Sequence, residues 1–455
     1  MKHIHILGIC GTFMGSLAII AKQMGYRVTG ADQNIYPPMS TYLEAQGIDI
    51  WQGYDVMHFE TEPDDIIVGN TMRRTNPCVE FLLTHQIPFM SGPEWLYHNV
   101  LQGKWVFCVA GTHGKTTTTS MLTWILEQAR LNPGFLIGGI AKNFEVSSRY
   151  TDSEYFVIEG DEYDTAFFDK RSKFCHYFPR TVILNNLEFD HADIFDSIDA
   201  IKRQFHHLLR TVPEDGLIVA NAQDTNIKDT LKMGCWTPVQ TFGAGSADWC
   251  YRLDTPDGSA FSVSFQGQKP VSVTWGLLGE HNVQNAVAAM AAAHHATISP
   301  ARAAKALSQF KGVKRRLELR GEIGGVRVYD DFAHHPTAIA ATLHSVKQQA
   351  HDGKIIAILE PRSNTMKMGA HKEALYQAVK DADIVLIYNP PQLQWNMQEI
   401  FNDRAQIFND VDSLIARAVK CARNQDQIVI MSNGGFDNIH QRILSKLDKE
   451  QLKAL

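Results

Sequence analysis

The chain opens on a short apolar run at residues 3–7, which breaks at a glycine loop (8–15) and passes into a helical pattern reaching about Met24. A second apolar run, 26–30, closes on Asp32, completing a β-α-β opening. A strand-like run at 65–68 and a helix around 79–85 continue the alternation. After a Gly-Lys break near Gly103 the pattern restarts with strand 105–110, helix 116–130, strands 155–158 and 181–185, helix 198–210 and strand 216–221. Short alternating strands separated by Gly and Asp turns fill 239–276, and an Ala-rich helix follows at 282–295. Beyond a basic stretch at 311–320 come strand 326–329, helix 337–348 and strands 355–360, 384–388 and 427–432. Such alternation predicts an α/β protein with mainly parallel sheets and sites at the carboxyl ends of strands.

Length turns this pattern into a domain count. At roughly 150 residues per domain, 455 residues predict about three. The breaks divide them into 1–104, 105–320 and 321–455: a Rossmann-like domain, a central P-loop domain and a second Rossmann-like domain. The net charge of −6 gives no reason to expect nucleic-acid binding. Seven scattered cysteines, with no C-x-x-C, fit reduced thiols better than disulfides or a zinc knuckle. No apolar run reaches the ~18–20 residues that span a bilayer. The N-terminal stretch reads as a strand rather than a signal peptide, so the expected location is cytoplasmic, without membrane insertion.

The strongest chemical signal is strand 105–110 followed by G-T-H-G-K-T-T-T-T-S at 111–120. Gly111, Thr112, His113 and Gly114 form a loop whose backbone N–H groups suit phosphates at a helix N-terminus. Lys115 suits the β/γ-phosphates, Thr116 offers a hydroxyl to Mg²⁺, and Thr117, next in the helix, is a further candidate for ATP binding. Strand 155–158 runs into E-G-D-E-Y-D, and strand 181–185 into N-N-L-E-F-D-H-A-D. Glu159 and His191 stand out there as metal ligands; the remaining acids read as solvated loop residues.

Four further clusters are less decisive. G-I-C-G-T-F-M-G invites a dinucleotide reading, with Asp32 twenty-one residues after Gly11, but Cys10 and Phe13 stand where that fingerprint needs glycine. Asn282 and Asn285 share a helix face in G-E-H-N-V-Q-N, where N-capping accounts for one but not both. K-R-R-L-E-L-R at 314–320 is either a phosphate clamp or a solvated basic face. In D-D-F-A-H-H-P-T at 330–337, Asp331 and His334 would face a strand-end cleft.

Taken in order, these motifs resemble the Mur ligase family, ATP-dependent amide-forming enzymes of peptidoglycan synthesis. The resemblance covers essentially the whole chain. It implies that Gly8, Gly11, Thr12, Gly15 and Asp32 bind a UDP-sugar. It further implies that Lys115, Thr116, Glu159 and His191 bind ATP and Mg²⁺, with Asn282 and Asn285 near the adenine. Arg316 and Asp331 would reach the phosphates and ribose, and His334 is a candidate for proton transfer. N-I-Y-P-P-M-S-T at 34–41, L-E-P-R-S-N-T-M-K-M-G at 359–369 and M-S-N-G-G-F at 431–436 resemble a recycling branch. That branch joins UDP-N-acetylmuramate to the murein tripeptide L-Ala-γ-D-Glu-meso-diaminopimelate, and Arg362 and Asn364 become candidates for the peptide's far end. The rival readings are L-alanine as the incoming amine and, from another class, a non-catalytic nucleotide-dependent switch. Several family members carry a carbamylated lysine, for which Lys202 lies in the right region but matches poorly. Oligomeric state is not legible.

Overall fold

The computed structural model describes residues 1–35, 39–349 and 352–454, so Tyr36, Pro37 and Pro38 of the 34–41 phrase lie outside the described residues. The first apolar run forms the strand His3–Leu7, buried at every position, in the middle of a five-stranded sheet. Its order is Asp49–Gln52, Arg27–Asp32, His3–Leu7, Asp65–Val68 and Met90–Ser91, all parallel. A strand covered on both faces has no exposed side to alternate towards, which is why its sequence reads as a nearly continuous apolar run.

The strand Trp105–Ala110 lies between Tyr155–Gly160 and Thr181–Leu184 inside a ten-stranded sheet. The parallel order continues through Leu217–Asn221 and Val239–Ala244 to Trp249–Leu253. The segment read as short alternating strands then closes the sheet antiparallel, with Ala260–Phe265 and Val271–Thr274. On one face the helices Lys115–Gln128 and Glu280–His295 pack together. Residues 286–293 of the second helix, mostly alanine, are fully buried, and their small side chains let the helices approach closely.

Phe156 anchors the opposite face. It is fully buried, and a Cβ built on Gly134 would lie 2.7 Å from its ring. The Phe156→Ala variant is expected to lose about 3–5 kcal/mol of stability. Urea denaturation followed by circular dichroism reads this directly; an unchanged midpoint would remove Phe156 from the core.

The third sheet has six strands, ordered Glu318–Ile323, Val326–Asp331, Gln427–Met431, Ile355–Leu359, Ile384–Tyr388 and Gln406–Phe408. The first pair is antiparallel and the rest parallel. The expected division after residue 320 therefore falls inside a strand. That strand was hidden in the basic stretch because its charged residues lie on an exposed edge. It is announced instead by Gly324-Gly325, both at positive φ (57° and 74°), the two-residue hairpin turn that follows it.

The first two sheets are joined by one apolar cluster that runs from Leu17, Ile20 and Trp95 to Phe156, Phe174 and Phe205. The third sheet keeps its own clusters on its two faces. Its contacts with the central unit include the polar pairs Asn364–Asp193 (2.8 Å), Thr365–Asp190 (3.0 Å) and Thr337–Glu188 (2.7 Å). Among the described residues no helix is long and apolar enough to cross a membrane, and all seven cysteines are free thiols.

Candidate active site

The site residues lie where parallel strands end. Gly111 follows Trp105–Ala110, Glu159 is the last residue but one of its neighbour on one side, and Asn185 follows its neighbour on the other. Thr112 N–H donates to the Asn186 carbonyl (3.1 Å), and His113 N–H donates to Asn186 Oδ1 (2.7 Å). Gly114 caps the helix at φ +78°, where a Cβ would collide with Asn285 Oδ1; only glycine fits both the angle and the space. Asn285 thus abuts the phosphate loop and accepts from Asn185 Nδ2 (3.3 Å). Asn282 instead donates to the Leu278 carbonyl (2.7 Å) at the start of its own helix. Thr117 is buried against the sheet.

Lys115 Nζ donates to the Gly111 carbonyl and to Glu162 Oε2, both at 2.7 Å. Glu162, only 3 % exposed, also lies 3.3 Å from His191 Nε2. Burial alone would raise the Glu162 carboxyl, but Lys115 and His191 together hold it down at about 2. Burial likewise disfavours the charged His191 ring, yet the Glu162 carboxylate outweighs it and raises that pKa above the ordinary value. His191 sits at φ +54°, a left-handed geometry of the kind stored at functional sites. Glu162 is the main residue that sequence reasoning passed over, since it was counted among the solvated acids of E-G-D-E-Y-D. A usable signal was present: it shares a strand-end loop with Glu159, three residues on.

Glu159 is buried and accepts from Thr116 Oγ1 (3.0 Å) and Gly138 N–H (2.7 Å). Burial first, and Asp161 second, push its carboxyl upward. A hydroxyl and a carboxylate are hard oxygen donors of the kind that suit Mg²⁺, while His191 Nε2 faces Glu162. From the domain junction Arg316 Nη2 reaches Thr116 Oγ1 at 3.2 Å. Asp331 lies at the same junction, where its oxygens accept from Leu317 N–H (2.6 Å) and Ala333 N–H (2.7 Å). It therefore holds the junction, where Arg315 and Leu317 both adopt positive φ.

His334 is half-buried, and its Nδ1 lies 2.9 Å from the Phe332 carbonyl, which fixes the proton on Nδ1 and leaves Nε2 to accept. Burial lowers its pKa, keeping the ring neutral. Lys202 pairs with Asp229 (3.3 Å) and Asp199 (3.9 Å). A different lysine was missed. Lys173, 4 % exposed, stands 3.6 Å from Asp161 and lies over the rings of Phe13 and Tyr163, joining the central unit to the first glycine loop.

In the first unit Gly8 is buried behind the strand, Gly11 and Thr12 are exposed at the helix start, and Gly15 backs onto Met39. Asp32 accepts from Cys10 N–H (2.9 Å) and closes the loop. In the third unit the two phrases set apart in the sequence meet: Ser432 Oγ donates to Glu360, and the Arg362 guanidinium packs on Gly434. Asn364 does not join them, since its amide donates to Asp193 in the central unit.

A phosphate loop, an acid–imidazole cluster beside it and a third α/β unit docked across the cleft define a nucleotide-dependent enzyme of three parts. The Mur ligase family matches the chain in three consecutive pieces: its catalytic domain at residues 3–103, its middle domain at 109–293 and its glutamate ligase domain at 315–434. The chain belongs to this family and is an ATP-dependent ligase. It is 54% identical over 451 residues to the UDP-N-acetylmuramate–L-alanyl-γ-D-glutamyl-meso-2,6-diaminoheptandioate ligase of Haemophilus influenzae, covering 98% of this chain and 99% of that one. A crystal structure of a murein peptide ligase from Psychrobacter arcticus superposes with a TM-score of 0.76 at 47% identity, covering 98% and 99% of the two chains. The UDP-N-acetylmuramate–L-alanine ligase of Clostridium novyi is 29% identical, over 97% of this chain and 88% of its own.

Proposed function

We propose that the protein joins the lactyl carboxylate of UDP-N-acetylmuramate to the α-amine of L-Ala-γ-D-Glu-meso-diaminopimelate, with ATP as co-substrate, in peptidoglycan recycling. The observation that carries this reading is the 54% identity to a tripeptide-adding relative along nearly its whole length, against 29% to an L-alanine-adding one. The residues 1–104 take the UDP-sugar through Gly8, Gly11, Thr12, Gly15 and Asp32; the central unit takes ATP; the third unit takes the peptide, with Arg362 at its far end. An enzyme using ATP and a nucleotide sugar with free thiols fits the cytoplasm.

The muramate carboxylate attacks the γ-phosphate of ATP, giving an acyl-phosphate and ADP. Lys115 and Arg316 oppose the charge that builds on the phosphoryl oxygens, and the loop N–H groups fix the chain of phosphates. Thr116, Glu159 and His191 would hold Mg²⁺, which would neutralise phosphate charge. The tripeptide amine then attacks the acyl carbon and phosphate leaves. His334, neutral and with Nε2 free to accept, takes the proton that the amine releases. Closure of the third unit over the phosphate loop keeps water from the acyl-phosphate.

The purified protein is expected to form UDP-muramyl-tripeptide, with stoichiometric phosphate, from ATP, Mg²⁺, UDP-N-acetylmuramate and the tripeptide. Mass spectrometry of a parallel reaction with L-alanine decides the acceptor. Product only with L-alanine would move the protein to the biosynthetic branch, and product with neither would leave a nucleotide switch.

A further inference from the structure

Three donors that the ligation chemistry leaves unused converge where the third unit meets the phosphate loop. His113 Nε2 and His335 Nδ1 each lie 3.4 Å from Glu188 Oε2, and all three donor atoms fall within 4.8 Å of one another. Each comes from a different motif: the phosphate loop, the end of the strand Thr181–Leu184, and D-D-F-A-H-H-P. A tetrahedral ion with ligands at 2.0–2.1 Å spaces them by about 3.3–3.4 Å. Two edges of the triangle already have that length, and the third, between His113 and His335, lies within 4.8 Å.

The donors are linked by hydrogen bonds that an ion would replace: His113 Nε2 lies 3.4 Å from Glu188 Oε2, and Thr337 N–H donates to His335 Nδ1 at 3.3 Å. His335 is buried, yet its Nε2 has no hydrogen-bond partner. Behind it stands the His371 ring, edge-on at 4.6 Å and fixed through its Nε2 at 3.0 Å from the Phe189 carbonyl. Thr337 Oγ1 donates to Glu188 Oε2 (2.7 Å) and orients that carboxylate. Two imidazoles and one carboxylate, with a fourth position left for water, select a transition metal over Mg²⁺, which prefers six oxygens.

We propose that His113, Glu188 and His335 form a second metal site, separate from Thr116, Glu159 and His191, that takes a Zn²⁺-class ion. Because His113 belongs to the phosphate loop and His335 to the third unit, the bound ion staples the two together and slows turnover. Only the slowing rests on the ligase reading; binding of the ion stands apart from it.

Co²⁺ titrated into the metal-free full chain, with Mg²⁺ in excess, tests the site without any turnover. An intense visible d–d band of four-coordinate Co²⁺ is expected, without a thiolate charge-transfer band, since no cysteine is in the donor set. His335→Gln and Glu188→Gln are each expected to weaken Co²⁺ binding by about tenfold or more, while His191→Gln leaves the band in place. Thermal melts establish that each variant is folded, and if one is not, the other decides. The proposal is overturned if the wild type gives no band, if both variants bind Co²⁺ unchanged, or if the band depends on His191. In the second arm, Zn²⁺ slows phosphate release by the wild type and loses that effect in His335→Gln. Inhibition of both proteins alike would sink the staple while leaving the site itself to the Co²⁺ result.

Discussion

Replacing Lys115 with Met is expected to lower kcat for tripeptide ligation about a thousandfold or more, a loss at the upper end of what one charged transition-state donor is worth. Its ammonium is nearly buried, 11 % exposed, between the Gly111 carbonyl and the Glu162 carboxylate. Burial pulls the pKa of such a group down, but Glu162 and Asp161 outweigh it and keep Lys115 charged. The cation is thus fixed at the mouth of the loop before nucleotide arrives, with no reorganisation left for the reaction step. Lys115→Arg is expected to rescue little, because a planar fork of five donors does not fit a slot shaped for one ammonium. Phosphate release gives kcat, and calorimetry with ADP shows whether the loop still binds nucleotide. A Lys115→Met enzyme within tenfold of the wild type would sink the assignment.

The order of elements in each unit was legible because a parallel sheet leaves a plain trace: buried strands are short and almost wholly apolar, and helices between them carry the longer period. The Ile384–Tyr388 strand and the 105–110 strand show this at its clearest. What escaped the reading was of two kinds. Glu318–Ile323 is an exposed edge strand, so its charges masked its period and only the Gly-Gly turn after it marks a hairpin. Glu162, Lys173 and the second role of Asp331 depend on contacts between distant segments. Lys115 and Glu162 are 47 residues apart, and Leu317 and Asp331 are joined by a carboxylate bond across a junction. A sequence shows which acids stand at strand ends, but not which one the fold turns inward onto a lysine. The same limit applies to Asn364, whose place beside Arg362 in the chain gave no hint that its side chain turns to Asp193.

Glu162→Gln tests that inward turn, with the second largest expected effect: ligation falls about a hundredfold and the fold loses about 3 kcal/mol. The amide keeps the shape of the carboxylate but leaves Lys115 without its nearest counter-charge and His191 without the partner that raises its pKa. The pH dependence separates this from a general loss of structure. Glu162 is held at about 2 in the fold, below the ~4.3 of an unperturbed glutamate. Its contribution is therefore complete above that unfolded value and fades as pH falls towards 2. Urea midpoints of wild type and variant should accordingly differ most near neutrality and converge on acidification. His191 has the opposite sign: its pKa is raised, so its share of the stability is present below about 6.5 and is lost as pH rises through the raised value. Removing the Glu162 charge should lower the His191 pKa, which a ring-proton NMR titration reads without reference to activity. A His191 titration unmoved in the variant would mean that the Glu162–His191 contact at 3.3 Å is not the one that sets its charge. The clamp of Lys115, Glu162 and His191 would then reduce to the lysine–glutamate pair, with His191 answering to Asp190 instead.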